Sequence, residues 1–185
     1  DAREQMKIAQ RLAPNEEVRF IMLGRIARKE GSVQHSLGEY EKALNVNPRN
    51  VNIQLEVGNY LVDLRKWSGA LAHFQNALAA SPNDLDLLER YAWVLSACPD
   101  EGLANGEKAL ALANRNALRR KYTKAQEMRC GMTLAAAYAR TGQFDRALVV
   151  ADKYLGSAKT MRDSSYLRRL QVMIAMFQNK KPYSL

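Results

Sequence analysis

Apolar residues along this chain recur at steps of three and four, the period that gathers them on one face of a helix. Phe20, Leu23 and Ala27 form one such run, and Val57 with Leu61 another. Tyr40 with Ala43, and Phe74 with Ala77, form runs after each of these. The longest stripe is Leu167, Leu170, Met173, Ile174 and Phe177, within residues 164–178, with Arg168 and Arg169 on the opposite face. The pattern predicts helices throughout, paired through short turns and closed by a final amphipathic helix. Pro14, Pro48 and Pro82 punctuate it, because proline cannot continue a helix interior.

Successive prolines are 34 residues apart, and other positions keep the same step. Gly24, Gly58 and Ala92 are small where two helices cross, so that their backbones can approach. Further small positions fall at Ser36, Ala70 and Ala104, and again at Ala43, Ala77 and Ala111. Tyr40 and Phe74 supply a ring between successive units, and Lys108 takes that place in the third. A fixed period of this length means a stack of one small unit, not one large core. A fourth pair carries Leu134, Ala135, Tyr138, Gly142, Phe144 and Ala147. Ala104 to Ala147 spans 43 residues where one period spans 34, so the third unit is expected to hold an insertion, placed at 112–127.

The first unit thus reads Phe20, Leu23-Gly24, Ala27, Ser36, Tyr40, Ala43, Pro48, and the second Gln54, Val57-Gly58, Leu61, Ala70, Phe74, Ala77, Pro82. This series resembles the tetratricopeptide repeat. The resemblance implies an all-α fold: a right-handed solenoid of antiparallel helix pairs with a C-terminal capping helix. The organisation expected is the second helix of a preceding repeat at 1–16 and repeats at 17–50 and 51–84. A divergent repeat with a basic insertion follows at 85–127, a fourth repeat at 128–159, and a capping helix with tail at 160–185. Beginning inside a repeat, the chain is expected to be a piece of a longer protein. Ala97-Cys98-Pro99-Asp100, Leu134 to Tyr138 and the Lys-Pro-Tyr tail resemble arrays in large bacterial proteins. The compartment, cytoplasm or periplasm, stays open.

Charge sharpens the picture. Residues 1–102 carry 12 Lys/Arg against 14 Asp/Glu, and residues 103–185 carry 16 against 5. The densest basic run is Arg115, Arg119, Arg120, Lys121 and Lys124. Such a surface favours acidic partners or an anionic surface. Nucleic acid is disfavoured, since only Tyr122 is interleaved for base stacking. No apolar run is long enough to span a membrane. Cys98 and Cys130 read as small packing residues, roughly 16 Å apart along the helix direction and too far for a disulfide.

Nothing in the sequence points to catalysis. His35 and His73 have no neighbouring cysteine or second histidine to complete a metal site. No phosphate loop, nucleophile elbow or zinc-protease motif is present, and no cofactor is expected. What remains is a surface. In the family resembled here the first helix of each pair lines a concave groove. Carried over, that groove holds Arg25, Arg28, Asn52, Glu56, Asn59, Arg90, Trp93, Arg129 and Thr133. Asn59 would grip a main chain through its amide, Arg90 would fork a carboxylate, and Trp93 would anchor. The family's clamp for chaperone tails is incomplete, with Leu55 and Thr133 at two of its basic places. The function expected is a non-catalytic scaffold binding a partner segment in the groove. A self-assembling spacer, with Met132, Met173 and Met176 as a face, is one alternative. Docking of an acidic polymer through the basic C-terminal half is another.

Overall fold

The computed structural model describes residues 15–117, 123–161 and 164–185. The described residues are helical, without strands: α1 (Glu16–Lys29), α2 (Val33–Val46), α3 (Val51–Asp63), α4 (Trp67–Ala80), α5 (Leu85–Ala97), α6 (Gly106–Ala117), α7 (Lys124–Arg140), α8 (Phe144–Met161) and α9 (Ser164–Gln178). Two compact units divide between Pro82 and Asn83.

Local sequence fixes where the helices begin. The side chains of Asn15, Asn50 and Asp84 accept hydrogen bonds from first-turn amides of α1, α3 and α5. Thr123 and Gln126 form a reciprocal capping box on α7. At Gly31 and Gly142, φ of 76° and 77° puts the turn after a first helix in the left-handed region, where glycine is unstrained.

In the first unit α1 packs on α2, α3 on α4, and α2 on α3. The small positions work as the repeat requires. A Cβ on Gly24 would lie 2.9 Å from the Tyr40 ring, and one on Gly58 only 2.6 Å from the Phe74 ring. Ser36 is buried and donates to the Gly24 carbonyl at 2.8 Å. Each ring therefore seats on bare backbone of its partner helix.

In the second unit α5 pairs with α6, α7 with α8, and α9 packs on α8. Leu170, Met173 and Phe177 of α9 enter a core with Met128, Met132, Ala136, Ala147 and Ala151. The register expected for the third pair needs correction. Ala104 lies in the turn before α6, Ala111 is exposed, and Ala109 is the small residue buried at the crossing. Part of the insertion therefore lies before 112–127, and part within it at the start of α7. Helix α6 starts 18 residues before α7, the spacing that separates α2 from α3 and α4 from α5. The extra length sits in the 98–105 turn and in α7, which runs 17 residues against 13 for α3 and α5.

That added turn of helix moves the ring-on-glycine contact. In the α7–α8 pair, Ala151 stands where Tyr40 and Phe74 stand. Tyr154 supplies the ring instead, and a Cβ on Gly131 would overlap it. The aromatic is about one turn later and its glycine about one turn earlier, as antiparallel helices demand. Lys108, expected in the aromatic place, is an α6 residue that donates to the Tyr91 hydroxyl at 2.8 Å.

Candidate functional site

Within the second unit, α5, α7 and α9 enclose an open cavity of about 230 Å³. Helix α5 contributes Glu89, Arg90 and Trp93, which share one face at three- and four-residue spacing. Helix α7 contributes Arg129 and Met132, and α9 contributes Ser165, Tyr166 and Arg169.

Glu89 organises this cavity. Its residue is only 4% exposed, so its charge needs partners close by. Thr133, itself buried, donates from Oγ1 to Glu89 Oε1 at 3.0 Å. Arg129 donates from Nε to Glu89 Oε2 at 3.4 Å, and Arg90 Nε stands 3.9 Å from the same oxygen. The second arm of Arg129 lies 3.8 Å from Asp86. Burial alone would loosen the Arg129 proton, but the Glu89 charge and hydrogen bond outweigh it and hold the pKa above its ordinary value.

Aromatic rings close one side. The Arg169 guanidinium sits 5.9 Å from the Trp93 ring centroid. The Tyr183 ring lies 5.6 Å from Trp93, tilted by 37°. The terminal segment is tied down where the Leu185 amide donates to the Ala97 carbonyl at 2.9 Å. Trp93 is thus half-buried between α9 and the tail rather than a bare anchor.

The expected groove residues fall into separate groups. Arg90, Trp93 and Arg129 line the cavity, while Thr133 is behind it and reaches no open surface. In the first unit, Arg25 forks Glu56 with contacts of 2.6 and 3.1 Å, and the Tyr40 hydroxyl donates to Glu56 at 2.7 Å. Arg28 pairs with Asp63 at 3.1 Å and lies over the Tyr60 ring. These first-unit charges satisfy one another. Burial raises the Glu56 pKa, yet hydrogen bonds from Arg25 and Tyr40 and the nearby guanidinium charges hold it below the usual carboxylate value. Asn52 is exposed and Asn59 half-buried.

Of the basic run, Arg115 is exposed and donates to Asn83, and Lys124 opens α7. Arg119, Arg120 and Lys121 lie outside the described residues, as does the helix expected at 1–16 apart from its last two residues. Met132 and Met173 are buried in the second unit's core and form no exposed face with Met176. Cys98 is buried as expected, whereas Cys130 is half-buried. His73 pairs with Gln54 at 2.6 Å, and burial holds its pKa below the ordinary value. Among the described residues no cluster of His, Cys, Asp or Glu is placed to hold a metal. None of the described helices is long and apolar enough to cross a membrane.

Sequence reasoning missed Ser165, Tyr166, Arg169 and Tyr183. Arg169 had a signal of its own: it lies off the apolar stripe of α9, beside a ring that only the fold brings near. What the cavity offers chemically is guanidinium groups around open space, walled by aromatic rings, which suits recognition.

No family model and no curated protein matches the sequence. Solved structures do. A tetratricopeptide repeat protein from Parabacteroides merdae superposes with a TM-score of 0.73 at 19% identity, over 96% of this chain. The chain spans 66% of the length of that protein. A structure of MamA superposes with a TM-score of 0.65 at 16% identity, over 89% of each chain. A second structure of MamA gives 0.64 at 16% identity, over 85% of this chain and 86% of that one. The resemblance drawn from the repeated residues is therefore matched in the fold.

Proposed function

From its tetratricopeptide-repeat fold, we propose that this chain is a non-catalytic scaffold that binds a segment of a partner protein. The observation that carries the proposal is the open cavity between α5, α7 and α9, lined by Arg90, Trp93, Arg129 and Arg169. A stack of helix pairs hides its apolar stripes in its own core, so its side chains left open are available to a second molecule. At about 230 Å³ the cavity is smaller than sites that enclose a whole small ligand, and it suits one or two side chains of a longer segment. Hot-spot chemistry fits as well, since arginine and tryptophan dominate such contacts. The first unit supports binding less directly, because Arg25, Arg28, Glu56 and Asp63 are occupied with one another.

Capture of partners from source-cell lysate tests this, with wild type and an Arg90→Ala/Trp93→Ala variant as parallel baits. Circular dichroism establishes that both are helical. A partner held by wild type and lost by the variant is the expected result. Partners held equally by both would remove the cavity from consideration and turn attention to the basic run at 115–124.

A further inference from the structure

Resting on that reading, we infer that the partner segment inserts an acidic side chain into the cavity between α5, α7 and α9, its carboxylate received by Arg90 and Arg169. The argument starts from charge. Three guanidinium groups, of Arg90, Arg129 and Arg169, face a space that contains one buried carboxylate, Glu89. Asp86, at the margin, is 54% exposed and is engaged with Arg129. The cations outnumber the anions, and the surplus is localised.

Arg129 is committed, because it holds both Glu89 and Asp86. Arg90 is not. Its Nε stays 3.9 Å from Glu89 through one edge, and its side chain is 42% exposed. Arg169 has only the Trp93 ring as its described contact, at 5.9 Å. A guanidinium whose described neighbour is a ring, not a carboxylate, keeps its N–H donors available to a planar acceptor. Carboxylates are that acceptor, and arginine binds them with two parallel hydrogen bonds.

Glu89 has a positioning part. Thr133 fixes one of its oxygens, so the other draws Arg129 and Arg90 onto the cavity wall. Trp93 lines the cavity beside these cations and offers its ring to the stem of an inserted side chain, while Arg90 and Arg169 offer donors to its carboxylate. The first unit shows the contrast: Arg25 and Arg28 are each met by a carboxylate of α3, Glu56 or Asp63, and carry no comparable surplus.

The test is selection of a random linear peptide library on the full chain, with an Arg90→Gln/Arg169→Gln variant in parallel. Each enriched peptide is then synthesised with its Glu or Asp residues intact and replaced by Gln or Asn, and binding is read by fluorescence anisotropy. The expected result is enrichment of acidic peptides on wild type, with about tenfold weaker binding when the carboxylate becomes an amide. The glutamine variant should no longer distinguish the two peptides. Peptides that bind wild type equally well as acid and amide would overturn the acidic assignment and leave the binding role standing. No enrichment of any peptide on wild type would overturn both. The acid–amide comparison on wild type decides the matter even where the variant fails to fold.

Discussion

At the scale of single residues, the fold depends on where a Cβ is missing. Gly58 lies under the Phe74 ring, and Gly131 still closer under Tyr154. Gly58→Ala is expected to destabilise the protein by about 1–3 kcal/mol, read as a lower denaturant midpoint. Gly38, inside α2, has nothing within 4 Å of a built Cβ, so Gly38→Ala should stabilise by about 0.5–1 kcal/mol in the same measurement. Glu56 gives a pH dependence. Its folded pKa lies below the ordinary 4.5, so its contribution is complete above that pH and lost as pH falls through the folded value. The stability of wild type should therefore fall more steeply from about pH 5 to about pH 3 than that of Glu56→Gln. Sequence spacing made Gly24, Gly58, Tyr40 and Phe74 readable, because crossing helices tolerate so few residue types. Glu56 was read as a groove contact, and its neutralisation by Arg25 depends on a side chain 31 positions away.

Elements carry a different lesson, since a helix is positioned by how its ends are satisfied. Helix α5 ends at Ala97 with carbonyls that no turn of helix covers. Arg140 covers them: its guanidinium donates to the Ser96 and Cys98 carbonyls at 2.9 Å each and to Glu101 at 2.8 Å, with the side chain 6% exposed. This arginine lets the 98–105 turn be longer than its counterparts without stranding buried acceptors. Arg140→Ala is expected to cost about 2–4 kcal/mol, seen as a drop in thermal midpoint with helicity retained at low temperature. The pairing of helices among the described residues, and α9 over residues 164–178, were legible in the apolar period. The site of the insertion was not. The repeat register gives only the total excess, and dividing it between a turn and a longer α7 depends on which small residue is buried. Ala104 and Ala109 are equally small, and packing alone chooses Ala109.

For the whole molecule, the division at Pro82 and Asn83 has a direct consequence. Residues 83–185 hold α5 to α9, with a core closed on one side by α9. Expressed alone, this segment is expected to be helical and to melt cooperatively, by circular dichroism and calorimetry, because repeat interactions are local. Composition announced that the C-terminal half is basic, yet it did not show which cations are already matched. That required Arg129 of α7 and Arg169 of α9 to be brought beside Glu89, Asp86 and Trp93 of α5. The contact of Tyr183 with Trp93 also has an optical meaning. The chain has two tryptophans, Trp67 in α4 and Trp93 beside the cavity. With Trp67→Phe in place, indole emission comes from Trp93 alone, and its colour reports how much water reaches the ring. Tyr183→Ala would then shift that emission to the red, so the protein carries within itself a lamp that registers whether its own tail is in place.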